Sequence, residues 1–327
     1  MRTLQVGKNE AGQRLDKLLA KYLDQAPKSF LYKMLRKKNI KLNGKRAQGN
    51  EILAQGDQVD LYLAEETLES FQKKTPRRRP VGPALSIIYE DAHLLLVNKP
   101  AGLLSQKARE SDISLVEGVI SYLLDSGQLT ERELTVFRPG ICNRLDRNTS
   151  GLVVAGKSLP GLQAMNALFQ ERSLHKYYRC MVAGHLKEPC RIEGWLEKQE
   201  KTNQVRIGKE RWEGALPICT EYKPLEHRTF GSRPYTYLEV NLITGRTHQI
   251  RAHLASIGHP LIGDGKYGEP KINACFREQY GLSHQLLHAY RLELPRLSGP
   301  LEGVSQGTFI APLPKLFTNI LEEDDGT

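Results

Sequence analysis

Residues 141–156 read ICNRLDRNTSGLVVAG, and the fold turns on how this stretch divides. The last five residues, LVVAG, read as a strand. Ahead of them Asp146 stands between Arg144 and Arg147, followed by Thr149, Ser150 and Gly151, a polar turn. That division puts Asp146 on a loop at the edge of a sheet. Flanking guanidiniums favour the charged form of a carboxyl group. An ionised carboxylate so placed can act as a nucleophile or a base, and a purely structural Asp–Arg pair has the same signature.

Outward from this loop the chain from Leu85 onward continues in strand-like runs: LSIIY, HLLLVNK, YRCMVAG and YTYLEVNL. Helices are fewer. One opens at Ser158 with Pro160 in its first turn and carries Leu162, Met165, Leu168 and Phe169. Strands outnumber helices and do not follow a regular βαβ order, so the expected class is α+β, around a mixed, largely antiparallel sheet. In residues 242–268, LITGRTHQIRAHLASIGHPLIGDGKYG, a strand with Thr236, Leu238, Val240 and Leu242 on one face turns at Thr244-Gly245. A helix follows with Ile250, Leu254 and Ile257 inward, ending near Gly258. Arg251 lies about 100° round from Ile250, at the border of core and solvent, where its fork can meet a carboxylate or phosphate. His248 and His253 are five apart on different faces, with no acidic or cysteine partner at a ligand spacing, so no metal site is expected.

The N-terminal part has a different texture. Leu15, Leu18, Leu19, Tyr22 and Leu23 fall on one helical face. A second helix, with Ser29 as its cap, turns Phe30, Leu31, Met34 and Leu35 inward and leaves Lys33, Arg36, Lys37 and Lys38 outward or past its end. Ile40 and Leu42 alternate with Lys41, Asn43-Gly44 gives a tight hairpin turn ahead of Lys45 and Arg46, and Val59, Leu61 and Leu63 alternate again. Residues 1–63 thus form a small α/β module, residues 64–84 a basic, proline-containing linker, and residues 85–327 the main domain.

Charge follows the same division. Residues 1–83 hold 18 Lys and Arg against 9 Asp and Glu, nearly all of the whole-chain net charge of +10. A basic lobe on a near-neutral body suits a polyanion, because each neutralised phosphate releases counterions; it also suits a surface that merely keeps a protein soluble. With 39% hydrophobic and 26% charged residues, the composition is that of a soluble globular protein. No signal peptide or run of eighteen apolar residues is present, so the expected place is the cytoplasm, without membrane contact. Five scattered cysteines without a CxxC pair indicate reduced thiols.

Six stretches in order, VNKPAG, NRLDRNTSG, HKYYRCMVAG, TGRTHQIRAH, GHPLIGD and HQLLHAYRLELP, resemble the successive motifs of the RluA family of pseudouridine synthases. The likeness covers roughly residues 85–310. The N-terminal module resembles the αL RNA-binding domain shared with a small-subunit ribosomal protein. The resemblance implies that Asp146 is the catalytic aspartate, Tyr178 the tyrosine that stacks on the base, and Arg251 the arginine that pairs with the aspartate, expected as a bidentate pair. It implies that Arg144 replaces the flipped nucleotide, that Ile250 packs near the base, and that Lys99 belongs to the lysine-proline motif at the substrate. Lys33, Arg36, Lys37, Lys38, Lys41, Lys45 and Arg46 are the expected RNA contacts of the module. One position departs from the pattern: Asn143 stands where the family usually has histidine.

The activity so implied is isomerisation of uridine to pseudouridine, with RNA, above all large-subunit ribosomal RNA, as partner, no cofactor, no metal, and a monomeric protein. A base must leave its stack to react, at about a few kcal/mol, which RNA contacts elsewhere help offset. Whether the carboxylate attacks the ribose or abstracts a ribose proton stays open at this level. A non-catalytic RNA-binding or ribosome-assembly factor on the same scaffold is the alternative, with Asn143 as its sole support.

Overall fold

Two sheets organise the described residues of the computed structural model, which are 1–7, 9–72, 82–131, 133–199 and 204–323. The first is built from β1 (Arg2–Gln5), β2 (Ile40–Leu42), β3 (Lys45–Arg46) and β4 (Gln58–Leu61), antiparallel in the order β1-β4-β2-β3. Helices α1 (Leu15–Tyr22) and α2 (Lys28–Arg36) lay Leu15, Leu18, Leu19, Leu31, Met34 and Leu35 against Ile40, Val59 and Leu61. Asn43 and Gly44 have φ of 49° and 72°, the two positive values that a two-residue hairpin turn needs.

Three details differ from the sequence reading. Helix α2 starts two residues earlier, because Phe30 and Leu31 donate to the Pro27 carbonyl, so Pro27 and not Ser29 is the cap. Strand β1, RTLQ, has a single apolar residue and no alternation to betray it; pairing with β4 makes it a strand. The start of the expected linker is instead helix α3 (Glu65–Ser70), with Leu68 buried in the module's core and Phe71 packed on Phe30 at 4.6 Å between ring centroids. The KK and RRR clusters of the linker lie outside the described residues.

The second sheet is formed by β5 (Ile87–Glu90), β6 (Leu94–Lys99), β7 (Gly140–Ile141), β8 (Ser150–Gly156), β9 (His175–Ala183), β10 (Cys190–Gln199), β11 (Gln204–Gly208), β12 (Leu216–Phe230), β13 (Arg233–Leu242), β14 (Leu287–Glu293) and β15 (Thr308–Ile310). Its path is β11-β10-β12-β13-β9-β14-β8-β6-β5, with β15 on β14 and β7 on β8. Among these pairings β8 with β14 is parallel and the rest are antiparallel, so the mixed, largely antiparallel α+β expectation holds. Helices α4 (Leu115–Asp125), α5 (Leu159–Glu171), α6 (Gln249–Ser256), α7 (Pro270–Tyr280) and α8 (Lys315–Glu323) cover it.

Side chains on a strand alternate between faces, and the central strands bury both. Leu95, Val97, Val153, Ala155, Cys180 and Val182 join one core with α4 and α6. Their neighbours Leu94, Leu96, Leu152 and Val154 join a second core with Met165 of α5, and Met181 and Ala183 a third with Phe276 of α7. This explains why LLLV and LVVA read as continuous apolar runs. Ser158 caps α5 by accepting from Gly161 N, as its place before Pro160 predicts. Gly151, at φ +113°, is the second residue of β8, where a Cβ would stand 2.2 Å from the Ala289 carbonyl oxygen. Only glycine lets β8 lie against β14 there.

Candidate active site

The loop ahead of β8 opens into a cavity of about 1100 Å³ lined by Asp146, Arg144, Tyr178, His248, Ile250 and Arg251, among others. The loop is tied from several sides. Thr149 N donates to the Asp146 carbonyl at 3.0 Å, closing a turn. The Ser105 hydroxyl donates to Leu145 O at 2.7 Å and accepts from Leu145 N at 3.1 Å. Gly102 N donates to Arg147 O, and Arg147 Nε donates back to Gly102 O at 3.0 Å. Asn143 donates from Nδ2 to Leu152 O at 3.1 Å and accepts Val154 N at 2.9 Å. Its amide therefore mimics a strand residue against β8, a positioning task that needs one donor and one acceptor.

Lys99 adds the strongest tie. Its side chain is fully buried, and its ammonium donates to the carbonyls of Pro100, Leu103 and Arg147 at 2.9, 2.9 and 3.0 Å. Burial pulls the ammonium down to about 8, while the Asp146 charge works in the opposite sense. All three N–H groups are occupied, so the expectation of Lys99 at the substrate is corrected: it joins the end of β6 to the Asp146 loop. Asp146 keeps a side chain 27% exposed to the cavity.

Helix α6 delivers Arg251. The residue is not at a solvent border, as the helical angle suggested, because the segment after α6 folds back over that side and leaves the side chain 7% exposed. Nor is the bidentate pair with Asp146. Arg251 Nε and Nη2 grip the two oxygens of Asp264 at 2.7 and 2.9 Å, and Nη1 reaches Asp146 Oδ2 at 3.0 Å. Asp264 is buried, and Lys266 N and Tyr267 N also donate to its Oδ1. Burial opposes both charges, but the mutual hydrogen bonds outweigh it, holding Arg251 above its ordinary range and the Asp264 carboxyl below its own. One fork of the guanidinium is thus fixed and the other nitrogen is aimed at Asp146.

His248 opens α6 in a left-handed conformation, φ 52°. Its Nε2 lies 3.8 Å from Asp146 Oδ2 and its Nδ1 3.0 Å from the Tyr267 hydroxyl. Burial lowers its affinity for a proton more than the Asp146 charge raises it. Tyr178, on β9 opposite Val240, borders the same cavity; burial first and the Asp146 charge second push its hydroxyl well above the ordinary range. Ile250 is buried against the cavity and Arg144 is exposed at its mouth. Sequence reasoning missed Asp264, His248 and Tyr267 as members of the network that joins Arg251 to Asp146. The quoted GHPLIGDGKYG contains the signal for Asp264, an acid between glycines, of which Gly263 needs its φ of +80° because a Cβ would meet the His284 carbonyl at 2.2 Å.

On the module, Lys33, Arg36, Lys37, Lys38, Lys45 and Arg46 are exposed, and Lys41 lies over the Tyr62 ring at 4.9 Å.

Residues 93–256 match the family model described as RNA pseudouridylate synthase. The ribosomal large subunit pseudouridine synthase C of Vibrio vulnificus is 31% identical over 91% of this chain and 90% of its own length. The ribosomal large subunit pseudouridine synthase D of Neisseria meningitidis is 32% identical over 93% of this chain and 76% of its own. Among solved structures, human RNA pseudouridylate synthase domain containing 4 shares the fold at a TM-score of 0.56 and 21% identity, over 73% of this chain and 93% of that one.

Proposed function

Because the chain belongs to the RNA pseudouridylate synthase family, we propose that it isomerises uridine to pseudouridine in large-subunit ribosomal RNA, with Asp146 acting on the ribose. The relatives' names supply the RNA. The observation that carries the residue assignment is the single hydrogen bond from Arg251 to Asp146 in a cavity that Tyr178 and Ile250 also line. Asp264 spends two of the arginine's donors, so Asp146 accepts one bond at Oδ2 and presents Oδ1 to the cavity, with no hydrogen bond to it among the described residues.

The reaction breaks the bond between ribose C1′ and uracil N1, turns the ring, and joins C1′ to C5; a proton leaves C5 and one arrives at N1. An ionised carboxylate serves either route to glycosidic cleavage, attack on C1′ or removal of a ribose proton. In both, Arg251 fixes its direction, and a one-ångström error in such a group can cost about a hundredfold in rate. Tyr178 provides the surface on which the uracil stacks. Its hydroxyl holds its proton through neutral pH, which lets it donate to the turning base. Arg144 at the mouth fills the space the uridine leaves in the RNA stack, and Ile250 forms the apolar wall of the base pocket. The basic module and its cations hold the rest of the RNA. The reading places the protein in the cytoplasm, as a monomer.

The test is to incubate the full chain, and separately Asp146→Ala, with unmodified large-subunit ribosomal RNA and to map pseudouridine by carbodiimide labelling and primer extension. Stops that need Asp146 establish the reaction and its uridines together. Their absence with a folded, RNA-binding protein refutes the assignment of this RNA.

A further inference from the structure

The cavity holds a second group of side chains that the chemistry at Asp146 does not use. Lys176 stands on β9 two residues before Tyr178, so both side chains leave the same face of the strand, about 7 Å apart along it. Its ammonium lies beside the loop after β13: a Cβ built on Gly245 would sit 3.8 Å from Lys176 Nζ. The next residue, Arg246, lines the cavity too, and its Nε is buried without a hydrogen-bond partner among the described residues. Arg172 ends α5 in a left-handed conformation, φ 59°, lines the same cavity, and lies close enough for its charge to act on Lys176. Among the described residues no carboxylate pairs with any of these three cations.

Like charges as close as Lys176 and Arg172 disfavour one another until an anion joins them, and the unbonded Arg246 Nε is a donor without an acceptor at the same cavity. Lys176 registers that cost: burial first, then the Arg172 charge, pull its ammonium down to about 8. The loop is also fixed in advance. Thr244 Oγ1 and Arg246 N donate to Gln249 Oε1 at 2.8 and 3.1 Å, and the buried Gln249 amide nitrogen donates to Cys219 O and Thr220 Oγ1 at 3.0 Å each. Glycine at 245 leaves the wall open to close approach. We infer that Lys176, Arg246 and Arg172 form a subsite for one backbone phosphate of the RNA, the phosphate flanking the uridine that enters the cavity. The subsite rests on the reading of RNA as substrate, and it would hold the flipped nucleotide by its backbone while Tyr178 holds its base.

The test measures binding of unmodified large-subunit ribosomal RNA across a salt series for the full chain, Lys176→Met, Arg246→Gln, the double variant and Lys176→Arg. Release of tritium from RNA labelled at uridine C5 is followed in parallel. Each single charge removal weakens binding about tenfold and lowers the slope of log affinity against log salt by about 0.7–0.9. The double variant lowers it by the same amount and not twice, because one phosphate can be lost only once. Lys176→Arg keeps the wild-type slope. Unchanged slopes in both single variants, or a doubled loss in the double variant, overturn the subsite. Absence of tritium release from the wild-type chain overturns the isomerase reading instead, while the salt slopes still decide whether the subsite exists.

Discussion

Lys33 and Arg36 on α2, and Lys37 just past its end, project into solvent, whereas Arg251 on α6 is buried between two carboxylates. The same kind of charge does different work in the two regions. Around α2 water and salt screen each cation beyond about 8 Å at physiological ionic strength, so what survives is a diffuse attraction suited to any phosphate backbone. Around Arg251 the medium is poorly polarisable, the hydrogen bonds are directional, and each of the three guanidinium nitrogens is bonded to a carboxylate oxygen. An exposed cation acts through its diffuse field; a buried one positions its partner. The Asp146 loop carries that logic further, since Lys99, though cationic, makes all its bonds to backbone carbonyls.

The contrast is broken most directly at Asp146. Asp146→Asn keeps the size of the side chain and removes its charge, and pseudouridine formation is expected to fall by at least about a thousandfold while RNA affinity changes only a few-fold. Product within tenfold of wild type would remove Asp146 from the chemistry. Next comes Asp264→Asn, which leaves a buried guanidinium half-paired. A stability loss of about 3–5 kcal/mol in urea unfolding is expected, with turnover down about a hundredfold as Arg251 swings away from Asp146. Wild-type values of both would mean that Asp264 does not fix the arginine.

Acid sharpens the comparison between buried and exposed groups. Burial pulls His253 and His288 each down to about 4; Ser150 Oγ and the Ala311 carbonyl flank the His288 ring at 2.9 and 3.2 Å, an arrangement that suits the neutral ring. Free histidine titrates near 6.5, so below that pH the unfolded chain takes up protons that the folded chain refuses. Stability should fall as pH drops from about 6.5 to about 4, by about 1.4 kcal/mol per unit for each ring. Urea titrations at pH 7, 6 and 5 check this, and His288→Gln should flatten the slope by one proton; an unchanged slope would show that His288 does not carry it. The smallest effect belongs to the exposed side: Lys33→Gln with Lys37→Gln should weaken RNA binding a few-fold and lower the salt slope. A fall in kcat without a rise in KM would contradict a recruiting role.

Much of the architecture was legible in the chain. The helical faces of α1 and α2, the Asn43-Gly44 turn and the Ser158 cap depend on residues a few positions apart, and the structure keeps them. Strand β1 was not legible, because RTLQ has nothing to alternate and is a strand only through β4. Helix α3 was hidden by the charged stretch that follows it; Leu68 and Phe71 are its only apolar anchors, and what they pack on lies elsewhere in the module.

In the site the division follows distance along the chain. The motifs around Asp146, Tyr178 and Arg251 name the residues, and periodicity and turn chemistry put them on a loop, a strand and a helix, since those forces act within a turn or a pleat. Which oxygen meets which nitrogen is another matter. Asp146 stands 105 residues from Arg251 and Asp264 13 residues from it, and the guanidinium divides its donors between them only because the sheet and the segment after α6 bring all three within 3.0 Å. Lys99 was read toward the substrate and Arg251 toward solvent for the same reason. A long side chain can point along its own element in many directions, and only the neighbours packed around it select one.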